Sequence, residues 1–383
     1  MAQYIPDNSI DLIYADPPFF TEKKYEVIWG DGYEIRAYED RWKGGIQNYL
    51  AWMEPKLREC HRVLKPTGSI YLHCDWHANA HLRILMDKIF GENYFRNEII
   101  WYYRGGGVPK NDFAKRHATI LRYTKSSKCT FNVDDVRDHY STDSLERLQY
   151  VARAFRGEKV YDNYRPNPKG KHPDDVWLIQ PTMPSSKERL GYPTQKPAKL
   201  LDRIIKASSN PMDVVLDPFC GCGTAIAVAH KRGRRWIGID VSPTACKLMF
   251  KRLQKLCPTL KFEETVIGMP KTIEELRALQ PFEFQNWVVQ KLGGRVSAKK
   301  IGDMGIDGFT FDLKPVQVKQ SDNVGRTVVD NFETAMHRVK AKRGIIVALS
   351  FGKGAYEEVA RAKMQDGLEI ELTTVNDLTE KFP

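Results

Sequence analysis

Leu216-Asp217-Pro218-Phe219-Cys220-Gly221-Cys222-Gly223-Thr224, residues 216–224, is the stretch that decides the fold. It continues the apolar run Asp213-Val214-Val215-Leu216 and leads into an Ala-rich segment, Thr224 to Lys231. A strand ending in Asp, a Gly-rich turn and a helix open a doubly wound α/β unit, in which ligands sit at the carboxyl ends of the strands. Gly221 and Gly223 permit a tight backbone and close approach of a ligand. The turn lacks the complete G-x-G-x-x-G of dinucleotide sites, so a nucleoside cofactor fits it better. One strand later, Trp236-Ile237-Gly238-Ile239-Asp240 ends in an acid. A carboxylate about 20 residues past the turn is placed to accept ribose hydroxyls.

A second motif lies near the start. Asp16-Pro17-Pro18-Phe19 follows the apolar run Ile10-Asp11-Leu12-Ile13-Tyr14-Ala15. The exocyclic amine of a nucleobase is a poor nucleophile, because its lone pair is delocalised into the ring. A carboxylate and a backbone carbonyl that both accept from the NH2 draw the nitrogen toward tetrahedral geometry. Prolines stiffen the turn and preorganise those acceptors. The neighbouring aromatic offers a face for the base.

Together these motifs resemble the DNA amino-methyltransferases that use S-adenosylmethionine. The DPPF tetrad is similar to their catalytic motif, and LDPFCGCGT to their cofactor motif. Catalytic motif first, then a variable region, then cofactor motif is the order of the family's β group. Arg62 to Asp75 reads as helix end, turn and strand. Asn97-Glu98-Ile99-Ile100-Trp101-Tyr102-Tyr103 resembles the strand lining the base pocket. Gly191-Tyr192-Pro193-Thr194-Gln195-Lys196-Pro197 resembles the segment opening the cofactor pocket. The resemblance covers residues 5–256. It implies a Rossmann-like α/β methyltransferase sheet. Asp16 and the Pro17 carbonyl would hold the target amine within the tetrad Asp16, Pro17, Pro18 and Phe19, with Phe19 stacking on the base. Asp217, Phe219, Gly221 and Gly223 would surround the methionine part of S-adenosylmethionine. Asp240 would bind ribose, and Thr194, Gln195 and Lys196 the carboxylate end. Transfer from a sulfonium is in-line, so positioning does most of the work, and that step needs no metal. The family also carries a Gly-Asp strand just before the catalytic strand. Here Met1-Ala2-Gln3-Tyr4-Ile5-Pro6-Asp7 leaves only a few residues, so the expectation is a shortened start and a sheet edge that needs cover.

Bulk properties agree with a polyanionic partner, double-stranded DNA. The 383 residues carry a net charge of +11. That length holds two or three domains with real cores. No run approaches 18 consecutive apolar residues, so no membrane span is expected, and no signal-peptide pattern opens the chain. Seven cysteines without framework spacing suit reduced thiols in a cytoplasm. Cys220-x-Cys222 has no second Cys or His pair near it in sequence and reads as small-residue packing rather than zinc. Helical stripes mark buried faces at Leu50, Met53, Leu57, Cys60 and Leu64, at Leu82, Leu85, Met86 and Ile89, and at Ala245, Leu248, Met249, Arg252 and Leu253.

Residues 104–190 break the periodic pattern. Arg104-Gly105-Gly106-Gly107-Val108-Pro109 reads as a hinged lid over the base pocket. Arg153, Arg156, Lys159, Arg165, Lys169 and Lys171 interleave with Phe155, Tyr161 and Tyr164. Basic groups suit phosphates and aromatics suit bases, and the family's target-recognition region falls here. A solvated, Pro-rich loop region is the bland alternative.

The C-terminal part reads as a second α/β body. After a linker at 257–273 come a helix (281–292), strands (295–299, 306–312, 316–319), a helix (327–340), a strand (344–350), a helix (354–364) and a strand (369–374). Its length, about 110 residues, is normal for a domain. Gly305-Ile306-Asp307-Gly308 precedes Pro315-Val316-Gln317-Val318-Lys319. A carboxylate and a Lys on neighbouring strands, with an acceptor two residues before the Lys, suit a metal ion and an attacking water. Asp307 would hold Mg2+, Lys319 would orient water, and Glu283 would assist. This resembles the Mrr-type branch of PD-(D/E)xK restriction endonucleases, with Gln317 where an acid is usual. An inactive, DNA-binding version of that module is the alternative.

The boundaries read as 1–103 (catalytic half), 104–190 (recognition and lid), 191–256 (cofactor half), 257–273 (linker) and 274–383 (nuclease-like). The expected function is a site-specific DNA methyltransferase fused to an endonuclease-like domain, with adenine N6 favoured because the tetrad begins with Asp. N4-cytosine transfer, a DNA-binding or cleaving protein with a defective transferase half, and methylation of RNA or protein glutamine are the competing readings. A homodimer is compatible with the sequence.

Overall fold

The computed structural model describes residues 1–21, 23–28, 34–40, 42, 44–105, 107–143, 167–183, 185–186, 188–190, 195–270, 272–296 and 305–381. Thr194, Arg153, Arg156, Lys159 and Arg165 lie outside the described residues, as do Phe155, Tyr161 and Tyr164. The chain forms two compact units. One comprises Met1–Glu22, Asp40–Glu188 and Lys196–Ile239, the other Lys23–Glu39, Arg189–Gln195 and Asp240–Pro383.

In the first unit the strands are β1 (Ile10–Ala15), β4 (Leu64–Cys74), β5 (Phe95–Tyr102), β6 (His117–Thr124), β7 (Val176–Leu178), β8 (Val214–Asp217) and β9 (Arg235–Gly238); β2 (Lys23–Ile28) and β3 (Glu34–Asp40) form a separate two-stranded ribbon, which apart from Asp40 belongs to the second unit. The helices are α1 (Gly45–Val63), α2 (Asn79–Phe90), α3 (Ala198–Ser208) and α4 (Thr224–Lys231). The seven strands pair in the order β7-β5-β6-β4-β1-β8-β9. Only β6 runs against its neighbours.

Both faces of this sheet are covered, and the strands alternate accordingly. Ile13, Ala15, Ile70 and Leu72 pack beneath Tyr49, Met53 and Leu57 of α1 and Leu82 and Met86 of α2. Leu12, Tyr14 and Tyr71 turn the other way, against Leu200, Leu201 and Ile204 of α3 and Ala225 and Val228 of α4. The α1 stripe therefore runs through Tyr49, with Leu50 only partly buried. Leu64 is already strand, because the helix ends at Val63. Asp11 fastens the bases of three strands: it takes the Lys65 ammonium at 2.7 Å and accepts from the Val214 amide at 2.9 Å.

The second unit continues with α5 (Pro243–Gln254), α6 (Phe262–Thr265), α7 (Ile273–Arg277) and α8 (Pro281–Lys291). Then follow β10 (Arg295–Val296), β11 (Gly308–Phe309), β12 (Pro315–Lys319), α9 (Arg326–Arg338), β13 (Arg343–Ala348), α10 (Lys353–Asp366), β14 (Glu369–Thr374) and α11 (Val375–Lys381). Its sheet order is β10-β11-β12-β13-β14, antiparallel at first and parallel from β12 onward.

The strand pattern of the sequence overran here in one place. The strand expected at 306–312 shrinks to Gly308–Phe309, because Thr310 closes a turn onto Lys314, with Leu313 left-handed at φ 63°. The linker expected at 257–273 contains the short α6. Arg252, read as part of an apolar stripe, is only partly buried, whereas Phe250 is buried.

Gly344 on β13 has no spare room. A Cβ there would stand 2.8 Å from both the Met336 sulfur and the Phe332 ring. Overpacking a well-filled core costs about 1–3 kcal/mol. Gly344→Ala is expected to lose stability in that range, read from urea unfolding; an unchanged midpoint would show that α9 yields freely.

Candidate active site

β1 and β8 are neighbours in space but far apart in sequence, and from them the sheet is built outward in opposite directions. That is the switch point at which an open α/β sheet leaves a crevice above its strand ends. Leu12 pairs with Val215 and Ile13 with Leu216, so Asp16 and the turn at Asp217–Gly223 emerge side by side. Both carboxylates, Asp16 and Asp217, raise the phenol pKa of Tyr14, which burial already pushes well up.

Around Asp16 the structure gathers groups from four segments. The Lys196 ammonium lies 2.5 Å from Asp16 Oδ2 and 4.9 Å from the Phe19 ring centre. His73 of β4, fully buried, places Nδ1 2.7 Å from the Tyr14 hydroxyl and 3.7 Å from Asp16 Oδ1. Its ring lies 5.2 Å from Phe19 and 5.4 Å from Trp101 of β5. The Tyr49 hydroxyl donates to the Pro18 carbonyl at 2.7 Å, holding the tetrad from α1. Phe20 closes the turn in the left-handed region, at φ 64°, against the Tyr49 ring. A bulky residue there is strained.

Two polar atoms in this cluster are buried without a hydrogen-bond partner among the described residues: Asp16 Oδ1 and His73 Nε2. A pocket holding an unpartnered acceptor next to an aromatic face is built for the N–H edge of a planar ligand. Burial raises the Asp16 pKa, and the Lys196 charge opposes that rise. Burial, with help from Lys196, pushes the His73 pKa well down, so His73 is neutral at pH 7.

The turn after β8 has the shape its glycines predict. Gly221 and Gly223 are left-handed, at φ 46° and 71°, and Gly223 caps α4. Asp217 is buried and accepts from the Phe219 amide at 3.1 Å. The Phe219 ring packs 5.9 Å from Trp52 of α1. Cys220 and Cys222 are buried, and the Cys222 sulfur lies 3.6 Å from the Thr224 hydroxyl. A left-handed turn at the switch point, with an acid and an aromatic ring, fits a nucleoside sulfonium such as S-adenosylmethionine.

The Lys196 ammonium closes on Asp16, a contact that the sequence reading did not foresee. The Gln195 amide oxygen accepts from the Leu190 backbone, within the second unit. Asp240 also belongs to the second unit, where its carboxylate accepts from the Ser242 amide at 2.9 Å. Arg104 is exposed just beyond β5. Sequence reading passed over His73, Tyr14, Tyr49 and Trp52. A signal for two of them existed: Tyr14 shares a strand face with Asp16, and His73 is a lone imidazole in an apolar strand.

In the second unit Asp307 sits just before β11. One carboxylate oxygen accepts from the Val318 amide at 2.6 Å, tying it to β12. Gln317 is buried, and its Oε1 has no hydrogen-bond partner among the described residues. Its amide nitrogen leaves Gly305, at φ 101°, no room for a Cβ. Val316 and Val318 face Phe284, Trp287 and Val288 of α8. Gln317 and Lys319 therefore project from the opposite face of β12 to the one α8 covers. Glu283 is buried in the first turn of α8, so its helix lies on the other side of the strand from the expected Gln317–Lys319 pair. Carboxylate and amide oxygens suit Mg2+ as donors.

Comparison with known proteins finds two families along the chain. Residues 10–251 match the sequence profile described as DNA methylase (N6/N4), and residues 276–382 one described as restriction endonuclease. A DNA adenine methyltransferase of Escherichia coli K12, YhdJ, is 34% identical over 256 residues, 65% of this chain and 78% of that protein. The type II methyltransferase M.BglII of Bacillus subtilis is 32% identical over 244 residues, 62% of this chain; the match spans 61% of the length of that relative. The solved PvuII DNA methyltransferase (cytosine-N4-specific) is a distant likeness, with 18% identity and a TM-score of 0.46 over 69% of this chain and 85% of that one. Through its first 250 or so residues, as the profile match at 10–251 sets out, the chain belongs to the N6/N4 DNA methylase family, and it carries a restriction-endonuclease domain behind it.

Proposed function

We propose that the protein transfers a methyl group from S-adenosylmethionine to the exocyclic amine of a base in double-stranded DNA, adenine N6 in preference to cytosine N4. The observation that carries this reading is the emergence of Asp16 and the Asp217–Gly223 turn side by side at the switch point. The cofactor supplies an electrophilic methyl group, and the chain supplies geometry. Asp16 Oδ1 and the Pro17 carbonyl accept from the amine, and Phe19 stacks on the base. Asp217, Phe219, Gly221 and Gly223 hold the cofactor, with Asp240, Thr194, Gln195 and Lys196 at its ribose and carboxylate ends. The base is rotated out of the duplex by about 180° to reach the pocket. Asp at the head of the tetrad, and the adenine specificity in the name of the E. coli relative, favour adenine.

The domain reading follows: transferase halves at 1–103 and 191–256, target recognition and lid at 104–190 through Arg104, Arg153, Arg156, Lys159 and Arg165, a linker at 257–273, and a nuclease-like domain at 274–383. There Asp307, with Gln317, would hold Mg2+ and Lys319 would orient water.

Labelled S-adenosylmethionine with plasmid DNA, followed by digestion to nucleosides, tests the transferase. Label in N6-methyladenine that disappears in Asp16→Ala supports it; label in N4-methylcytosine reverses the base assignment; no labelled nucleoside from any DNA sinks it. For the second domain, Mg2+-dependent nicking of plasmid is expected to vanish in Asp307→Ala. Nicking that persists in that variant removes the metal assignment.

A further inference from the structure

One charged side chain in the first unit plays no part in the site above and has no counter-ion among the described residues. Arg122 of β6 is 6% exposed. Among the described residues its Nε has no hydrogen-bond partner, and its one side-chain hydrogen bond is a 3.9 Å contact to the Cys129 sulfur. Two aromatic rings flank the guanidinium, Phe131 at 4.6 Å and Tyr71 at 5.7 Å. Arginine cannot discharge itself by losing a proton. A buried charge without a partner is expensive, and chains keep one where something else supplies the opposite charge.

Arg122 lines a cavity of about 520 Å³. That volume lies within the range of small-ligand pockets. Tyr71, Phe131 and Trp177 provide aromatic walls, and Asp174 and Asp175 also line it. The other arginine of the wall, Arg203, is already spent: it grips Asp138 through both nitrogens and lies over Trp177. The cavity shares no side chain with the cluster around Asp16. Tyr71 and Ile99, which line it, stand two residues before His73 and Trp101 on β4 and β5, which is one pleat or about 7 Å along each strand.

We propose that this cavity is a second ligand site, one that takes a phosphorylated nucleoside with its phosphate on Arg122. The guanidinium fork matches two phosphate oxygens. The aromatic walls suit a planar base. The carboxylates of Asp174 and Asp175 suit sugar hydroxyls, which donate. The site takes either a free mononucleotide or a nucleotide of a single strand, and its existence is independent of the methyltransferase reading.

The test is thermal unfolding and titration calorimetry of the full chain with three probes: inorganic phosphate, UMP and a short single-stranded oligodeoxynucleotide. UMP avoids the adenosine chemistry of the cofactor crevice. UMP is expected to raise Tm and to bind with Kd below about 1 mM. Arg122→Met is expected to weaken it by at least about tenfold, and Arg122→Lys to keep part of the affinity, since a point charge lacks the fork. Binding of UMP but not the oligonucleotide identifies a free nucleotide as the occupant; the reverse, lost in Arg122→Met, identifies a strand. If Arg122→Met does not fold, the wild-type titration and Arg122→Lys decide. A wild type indifferent to all three probes overturns the proposal, and so does binding that Arg122→Met or Arg122→Lys leaves intact.

Discussion

Asp16→Ala is expected to reduce methyl transfer by at least about 10²–10³-fold while leaving S-adenosylmethionine binding close to wild type. Losses of that size follow when one preorganised group aimed at developing charge is removed. Asp16 meets that description. Its Oδ1 is buried and has no hydrogen-bond partner among the described residues, and it stands at the end of β1, which is paired on both sides in the middle of the sheet. The groups near it cannot replace it: His73 is a neutral imidazole, and Lys196 is a cation that repels a developing ammonium. The isosteric Asp16→Asn removes the charge and turns a donor toward the amine, so it is expected to fall nearly as far. Single-turnover transfer and equilibrium binding, measured together, separate the two effects. An alanine variant that keeps a tenth of the wild-type rate would remove Asp16 from the chemistry.

Lys196→Met is the second large effect, and its signature lies in pH. Burial holds the Asp16 carboxyl above the usual carboxylate range, and the Lys196 charge and hydrogen bond are what pull it back. The other groups facing it offer no replacement. Tyr14 and His73 are neutral, and Asp217 is a further acid. Transfer needs the ionised form, so the rate falls as pH drops through the Asp16 pKa. Removing Lys196 leaves the raising influence of burial unopposed, so that fall moves to higher pH. The variant is expected to lose most activity at neutral pH and recover part of it in alkali, while Lys196→Arg stays near the wild-type profile. The effect on folding has the opposite sign. A carboxyl with a raised folded-state pKa stabilises the fold when protonated, and that contribution is lost as pH climbs through it. A Lys196→Met profile of unchanged shape would show that the ion pair does not govern Asp16.

Much of this was legible because short-range chemistry and the fold agree. The Gly221–Gly223 turn, the strand before it and the helix after it are local, and residues 213–231 alone imply them. Strand order is not local. That β1 lies beside β8 follows from packing both faces of one sheet, and only the family resemblance supplied it in advance. Lys196 was placed at the cofactor because its motif neighbours suggest that role; what places it on Asp16 is a contact between segments 180 positions apart in the chain. His73 and Tyr49 act through the same kind of distant contact. In the second unit the misjudged strand at 306–312 failed for another reason: β-type residues there spend their hydrogen bonds on a tight turn rather than on a ladder.

The ammonium resting on Asp16 also bears on how a base would enter. An empty acidic pocket would be hydrated, and every visit by a substrate would begin by stripping that water from a bare anion. Here the Lys196 ammonium already sits on Oδ2, so the charge is partly balanced before any substrate arrives, and the incoming amine takes Oδ1, the oxygen that Lys196 leaves open.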